Sequence, residues 1–190
     1  KKNLVIINNE KCSIKNGEIF CENIEIKSLN QNLKDKYNIK FLLREGNIVP
    51  VYKIEKSNTK ISSNIFSFAK NLFTSVIKDR SKYLIISVTP YTFFSFLLLI
   101  AFRKKIFLYL RSDGKKEIEA IYGKILSIIY KTVENFMSIF SDLIVVNELI
   151  SKKKNYFLVN PSQIDKDWLI NSEVIPEKGR IKLLYVGRFK

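Results

Sequence analysis

Residues 82–114, KYLIISVTPYTFFSFLLLIAFRKKIFLYLRSDG, decide the fold class of this chain. Residues 83–88 and 106–110 are short apolar runs rich in β-branched and aromatic residues, which is typical of strands buried on both faces. Between them, residues 91–102 are apolar almost throughout but too few to span a bilayer, and this predicts a buried helix. The second strand leads into a polar turn at residues 111–114.

Strands and helices continue to alternate outside this stretch. A first strand at residues 3–7 is followed by a hairpin at residues 12–21, in which Asn16-Gly17 is a strong turn signal. This alternation predicts an α/β domain: a doubly wound, mainly parallel sheet with helices on both faces and an early β-hairpin. Further strands are predicted at residues 39–44, 49–54, 143–146 and 156–159, further helices at residues 25–36, 65–77 and 115–140, and a polar loop at residues 57–63.

Three segments follow one another along the chain. Residues 1–161 are expected to form one domain, and residues 162–180 are polar and predict a linker. The pattern of residues 181–190 predicts a fresh apolar strand and a glycine turn. We interpret them as the first strand of a second, truncated domain.

Composition narrows the class of function. The net charge of +15 leaves two interpretations open: a solvated lysine-rich surface, or attraction to phosphorylated substrates, acidic lipid headgroups or nucleic acid. The chain has no histidine, which removes the usual general base and the commonest zinc ligand. Neither a secretory signal nor a transmembrane segment is recognisable, so we expect a cytoplasmic location.

The two cysteines, Cys12 and Cys21, fall opposite each other if the hairpin has a two-residue loop. A cross-strand disulfide is therefore geometrically possible. In a chain without an export signal we favour two free thiols. Two thiols without histidine also make a poor metal site.

The segment KLLYVGRF at residues 182–189 resembles the strand and turn that open the second domain of group 1, family 4-like glycosyltransferases of the GT-B fold. The hairpin, and YLRSDG at residues 109–114 ahead of a long helix, resemble a subgroup of that family. The resemblance implies a Rossmann-like N-terminal half of a GT-B enzyme. It also implies sugar transfer, usually with retention of configuration, from a nucleotide-diphosphate sugar to a glycan, lipid-linked or polyanionic acceptor. That chemistry needs no metal and no cofactor beyond the nucleotide sugar as co-substrate, and we expect the fragment alone to be inactive.

The resemblance also implies roles for particular residues. Arg188, with Gly187, would bind the donor diphosphate through bidentate hydrogen bonds. Two positions depart from the family pattern: residues 8–11 (NNEK) replace a glycine-rich loop, and residues 111–113 replace a histidine. We hypothesise that Arg111 contacts a phosphate or carboxylate and that Asp113 contacts sugar hydroxyls, as the catalytic pair. The candidate acceptor-binding residues are Ser112, Thr89, Tyr91 and Glu148.

Each of these assignments has a structural alternative. Asp113 or Ser112 could cap the following helix while Arg111 pairs with a nearby carboxylate. Thr89-Pro90 could simply start a helix. Glu148 could cap a turn or form a surface ion pair.

Two other functions compete with glycosyl transfer. A non-enzymatic basic domain could bind nucleic acid, but the aromatics lie on apolar helix faces and arginine is scarce. A nucleotide-binding enzyme of another class would need GxGxxG or GxxxxGK[ST] after a strand, and neither occurs. The expected partners are therefore a nucleotide sugar and a glycan or lipid-linked acceptor, with nucleic acid disfavoured. Peripheral attachment to an anionic membrane, at the inner face of the cell membrane, stays open.

Overall fold

The computed structural model describes residues 1–78, 81–150 and 155–159. The predicted linker at residues 162–180 and the strand at residues 181–190, with Gly187 and Arg188, lie outside the described residues. The strands are β1 (Lys2–Lys15), β2 (Glu18–Cys21), β3 (Tyr37–Glu45), β4 (Tyr52–Ile54), β5 (Thr59–Ser62), β6 (Lys82–Ile86), β7 (Ile106–Leu110), β8 (Asp142–Val145) and β9 (Tyr156–Leu158). The helices are α1 (Ile24–Leu33), α2 (Ile65–Lys78), α3 (Pro90–Ala101), α4 (Gly114–Tyr122) and α5 (Lys124–Ile139).

The described strands form one mixed, mostly parallel sheet. Its parallel part has the order β5-β3-β1-β6-β7-β8-β9. The chain moves outward from β1 through β3 to β5, returns to β6 on the other side of β1, and then moves outward again. The crossover reverses direction between β1 and β6, which is where open α/β sheets leave a crevice at their carboxyl ends. The prediction of an α/β fold with a mainly parallel sheet is confirmed.

The central strands are buried on both faces because helices cover both sides of the sheet. Val5 and Ile7 of β1 pack in one core cluster with α2, α3 and α5. Leu4 and Ile6 alternate with them and pack in a second cluster with α1 and the hairpin. Unbroken apolar runs are therefore the correct signal for these strands.

The early hairpin forms at the predicted place. β1 continues past its parallel part and pairs antiparallel with β2, so that Cys12 lies opposite Cys21. Asn16 and Gly17 both have positive φ, 50° and 75°, as the tight turn of a two-residue hairpin requires. β4 adds to the outer side of β2.

The predicted long helix at residues 115–140 is wrong. Gly123, with φ 87°, separates α4 from α5, and the Tyr130 side chain of α5 lies against Gly114 at the start of α4. The α5 helix therefore folds back along α4. Because the chain reverses, the apolar residues of the predicted helix cannot all face the core, and many of them are exposed: Ile121, Tyr122, Ile125, Ile128, Ile129, Phe136 and Phe140.

The predicted loop at residues 57–63 contains a strand. Thr59–Ser62 (β5) pairs parallel with β3. Ile61 is its one aliphatic residue, so it lacks the apolar pattern by which strands are recognised. Hydrogen bonds to β3, rather than an apolar side-chain pattern, therefore define this strand.

We predict that Gly114→Ala destabilises the protein by about 1–3 kcal/mol, because an overpacked site must shift its neighbours. An added Cβ would lie 2.0 Å from the Tyr130 hydroxyl oxygen and 2.4 Å from its Cζ. Denaturant unfolding measures the loss. Tyr130→Leu should relieve part of it, so that the double variant is more stable than additivity predicts.

Gly46→Ala is the matched control. Its Cβ would meet the flexible Lys11 side chain, 2.8 Å from Cδ, and the change should stay within about 0.5 kcal/mol. Equal losses at Gly114 and Gly46 would contradict the close contact between α4 and α5.

Candidate functional site

Polar side chains gather where the pairing of β1 with β6 ends and at the carboxyl ends of β6 and β7, where the crossover reverses direction. Asn8 pairs with Ile86 at the end of β6, and Ile86 pairs with Tyr109 of β7. These residues form one row across three strands, on the face that α1 covers. Residues that follow the row along β6 and β7 therefore lie beside the N-terminus of α1.

Arg111 joins these segments. Its Nη1 donates to Glu25 Oε2 at 2.5 Å, and its Nε donates to Ser87 Oγ at 3.2 Å. The ion pair is partly shielded from water, since the Arg111 side chain is 33% exposed and the Glu25 side chain 16%. Charge-assisted hydrogen bonds of this kind are among the stronger ones in proteins.

Local structure fixes both partners of Arg111. Asn23 caps α1 by accepting a hydrogen bond from the Glu25 backbone N–H at 2.9 Å, and this holds Glu25 in the first helical turn. Ser87 has φ 62°, a left-handed conformation that is uncommon for residues other than glycine. Its N–H donates to the Tyr109 carbonyl at 2.9 Å. Strained residues of this kind concentrate at functional sites.

Asn8 adds an unused hydrogen-bond donor. The residue is 3% exposed, and its Oδ1 accepts from the Glu10 backbone N–H at 3.2 Å. Its Nδ2 has no partner among the described residues. A buried amide without a partner is costly, so each such group needs an explanation. A ligand oxygen can supply the missing partner only if ligand binding exposes the amide, which is shielded from solvent in this structure.

Charge also acts on Tyr109 in this row. Burial raises the pKa of Tyr109 above its usual value, the Glu25 carboxylate raises it further, and Arg111 opposes both effects. The Tyr109 side chain therefore remains a neutral phenol at physiological pH. Hydrogen-bond donors and hydrogen-bond acceptors therefore both line this face.

A second polar group lies on the opposite face of the same edge. Arg44, in β3, donates to Asn9 Oδ1 at 2.8 Å, and its guanidinium stacks 4.3 Å from the centre of the Tyr91 ring. Tyr91 also packs edge-to-face on Phe68. Tyr91, predicted to bind the acceptor, is thus held between an arginine and the core.

Asp113, predicted to be catalytic, is the N-cap of α4. Its Oδ1 accepts from the Lys116 backbone N–H at 3.3 Å, and Oδ2 pairs with Lys116 Nζ at 3.2 Å. Burial raises the pKa of Asp113, but the hydrogen bonds and charge of Lys116 outweigh burial and hold it below its usual value. The carboxylate is therefore ionised at neutral pH. Both contacts of the structural alternative are present: the Asp113 cap and the Arg111–Glu25 pair.

The remaining predicted residues are more dispersed. Ser112 is exposed beside Asp113, and its carbonyl accepts from the Gly114 N–H at 3.0 Å. Thr89 caps α3 through a reciprocal pair of hydrogen bonds with Thr92, ahead of Pro90, which is the helix start of the structural alternative. Glu148 is exposed in a short 3-10 turn. Within the described part of the chain, no hydrogen bond or ion pair joins Glu148 to Arg111 or Asp113.

A partly buried ion pair on α5 links that helix to the short 3-10 turn after β8. Lys131 pairs with Glu134, and its Nζ also donates to the Ile150 carbonyl at 3.4 Å. Burial raises the pKa of Glu134, Lys131 opposes the rise, and Asp113 adds to it. Burial likewise raises the pKa of Tyr130, with the charges of Glu134, Glu117 and Asp113. Tyr130 and Glu134 both lie on α5, and the charge of Asp113 at the start of α4 acts on both. We assign these residues a structural role.

Both cysteines are free and buried. Burial raises the pKa of Cys12 to about 12, with smaller increases from Cys21 and Glu10. Burial raises the pKa of Cys21 to about 11, with Glu10 adding to the rise. In the described ranges, no group of three or more Cys, Asp and Glu side chains could hold a metal ion.

Sequence reasoning missed Glu25, Ser87 and the orphaned amide of Asn8. Glu25 lies in a helix whose sequence has only weak periodicity, and nothing local shows that it meets Arg111. Ser87 offered a weak signal, since it is a polar residue within the apolar run YLIISV. Asn8 was noted only as part of the segment that replaces a glycine-rich loop.

The fold and the polar side chains define an α/β domain with a candidate ligand site at the point where its crossovers reverse. No family model, curated protein or solved structure matches the chain. Among the described helices, none is both long and apolar enough to cross a membrane.

We predict that Glu25 and Arg111 are energetically coupled by about 1–3 kcal/mol. Neutralising either side chain leaves a partly buried charged group without its partner. A double-mutant cycle with Glu25→Gln and Arg111→Gln, followed by denaturant unfolding, measures the coupling. A coupling below that of an exposed pair would contradict a shielded bridge.

Lys53 and Glu18 provide that exposed pair. Their atoms lie 2.5 Å apart, but the side chains are 62% and 46% exposed. The same cycle at these positions should give less than about 1 kcal/mol.

We predict that the native thiols react slowly with a disulfide reagent at neutral pH, because the thiolate is the reactive form. A pKa of about 11 at Cys21 leaves roughly a hundredth of the thiolate of an ordinary cysteine. The rate should keep rising with pH toward 11, where an ordinary thiol has already levelled off. Both thiols of the denatured protein should react quickly with the reagent, whereas no reacting thiol would indicate a Cys12–Cys21 disulfide instead.

Proposed function

We propose that the chain is the acceptor-side domain of a nucleotide-sugar-dependent, retaining glycosyltransferase, with the Rossmann-like arrangement of the N-terminal half of the GT-B fold. The acceptor would be a glycan or a lipid-linked sugar, bound in the crevice at the ends of β1, β6 and β7. We further propose a cytoplasmic enzyme that works at the surface of the membrane. One observation carries the proposal: the Arg111–Glu25–Ser87 cluster beside the orphaned amide of Asn8.

This mixture of groups suits a polyhydroxylated ligand. Sugar hydroxyls both donate and accept, so Glu25 and Ser87 can accept from them while the Asn8 amide and Arg111 donate to them. Such a site favours the hydroxylated ligand over a deoxygenated analogue, because loss of a hydroxyl leaves a buried protein group without a partner.

The same groups disfavour a dinucleotide. In dinucleotide-binding folds the pyrophosphate sits on the N-terminus of the helix after the first strand. Here that turn carries the Glu25 carboxylate, and the Asn23 side chain already occupies the Glu25 backbone N–H. A second anion at this place would meet like charge. This supports a sugar acceptor over a nucleotide.

The competing function is polyanion binding by a non-enzymatic domain. The net charge of +15 favours it, and it predicts binding to oligonucleotides that weakens steeply as salt increases. Binding of that kind without any consumption of nucleotide sugar would favour the alternative.

We predict that Asp113→Asn lowers turnover by about tenfold or more while leaving stability unchanged. Asparagine caps helices as well as aspartate does, so this variant removes the carboxylate but keeps the cap. Asp113→Ala should lose turnover and also about 1 kcal/mol of stability. The assay measures sugar transfer by the complete natural reading frame, screened over nucleotide sugars with glycan and lipid-linked acceptors.

Arg111→Lys tests the second catalytic assignment, since lysine keeps the charge but loses the planar fork. Its KM for the acceptor should rise more than its KM for the donor. Lys53→Ala, on a distant edge strand, is the control and should behave as wild type. Normal turnover in both Asp113→Asn and Arg111→Lys would contradict the proposed roles. No turnover of any nucleotide sugar by the wild type would remove the enzyme proposal.

A further inference from the structure

The outer end of the α4–α5 pair is an exposed apolar element. We call residues 120–126, AIYGKIL, the Gly123 tip. Ile125 is 78% exposed, and Ile121, Tyr122 and Leu126 are also exposed. The tip contains one charged residue, Lys124, and no acidic one. Contiguous exposed apolar side chains of this kind mark an interaction site.

The tip projects from the edge of the sheet that carries the candidate site. α4 starts just after the carboxyl end of β7, and α5 returns to the level of that start where Tyr130 meets Gly114. α5 then continues to β8, so the nine residues of α4 must extend outward. At 1.5 Å per residue they reach about 13 Å.

Sheet packing does not explain these side chains. The buried positions of α5 are Ser127, Glu134, Met137 and Ser138, of which only Met137 is apolar. The tip residues lie before them, where the helix pair has left the sheet. Their apolar surface is therefore available to a partner rather than to the core.

The net charge of the chain favours an anionic partner. A second copy of this chain carries the same net charge of +15, so pairing of two tips is opposed by repulsion. An anionic bilayer is attracted, and Lys124 would lie at its headgroups while the neighbouring isoleucines enter the acyl boundary. Tyrosine is enriched at that level of a membrane because its ring is apolar and its hydroxyl is wet.

We propose that the Gly123 tip inserts into the interfacial region of an anionic membrane and so brings the carboxyl edge of the sheet to the lipid surface. This inference deepens the proposed function, on which it rests for the choice of acceptor: a sugar on a lipid anchor, held with its headgroup at the crevice. The insertion itself requires no sugar transfer.

The test is co-sedimentation of the full chain with vesicles, without nucleotide sugar. Phosphatidylcholine vesicles with added phosphatidylglycerol should retain the protein, and phosphatidylcholine alone should not. Ile125→Gln with Leu126→Gln should weaken binding by about tenfold or more, since two apolar side chains are lost from the bilayer. Lys124→Glu should weaken it by about fivefold or more.

Ile77→Gln is the matched control, because Ile77 is 60% exposed near the C-terminal end of α2, at the opposite edge of the sheet from the tip. It should leave binding within about twofold. A Tyr122→Trp reporter with Trp168→Phe should show a blue-shifted emission on the anionic vesicles alone. Circular dichroism checks that each variant is folded.

Three results would overturn the proposal: no binding to anionic vesicles, undiminished binding by the Ile125, Leu126 double variant, or an equal loss in Ile77→Gln. Sedimentation velocity without lipid adds a fourth, a wild-type dimer that the double variant converts to monomers, which would identify a second copy as the partner. Vesicle binding without sugar transfer would remove the glycosyltransferase proposal alone. Sugar transfer without vesicle binding would remove the membrane proposal alone.

Discussion

An ion pair between Arg111 and Glu25 joins segments that are 86 residues apart in the chain. It ties the end of β7 to the start of α1 across the point where the crossovers reverse. A partly shielded pair is stable only when both charges keep their partners, so it fixes the register of α1 over the sheet. The second contact of Arg111, with Ser87, extends this constraint to β6. The positions of the polar side chains at this edge of the sheet follow from these contacts.

A glycine contact imposes the second constraint. Tyr130 can lie against Gly114 only because that residue has no side chain, and the positive φ of Gly123 lets the chain turn between them. Together the two glycines convert what would be one helix into a folded pair. The folded helix pair leaves the apolar residues of the Gly123 tip outside the core. It also places Asp113 at the other end of α4, next to the sheet.

The sequence predicted those elements whose burial is written in local pattern. The strands at residues 83–88 and 106–110 are apolar throughout, and Asn16-Gly17 fixes the hairpin. β5 was missed because hydrogen bonds to β3 define it, and the α4–α5 break because Gly123 is tolerated within a helical pattern. At the site, Arg111 and Asp113 were identified from their place after a strand. The Arg111 partners Glu25 and Ser87 could not be identified in this way. Contacts between distant segments depend on how α1 packs on the sheet, and the spacing of residues in the sequence does not show this.

The crevice and the tip present opposite chemistries at one edge of the sheet. The crevice offers a carboxylate, a guanidinium, a hydroxyl and an unpartnered amide, whereas the tip offers isoleucine, leucine and tyrosine around one lysine. A freely soluble sugar would use only the first set, and the exposed apolar side chains would then remain in water without compensation. A ligand with a hydroxylated head and a membrane-embedded tail uses both sets. The pairing of these two surfaces is therefore a stronger argument for a lipid-linked acceptor than the net charge, which the whole lysine-rich surface shares.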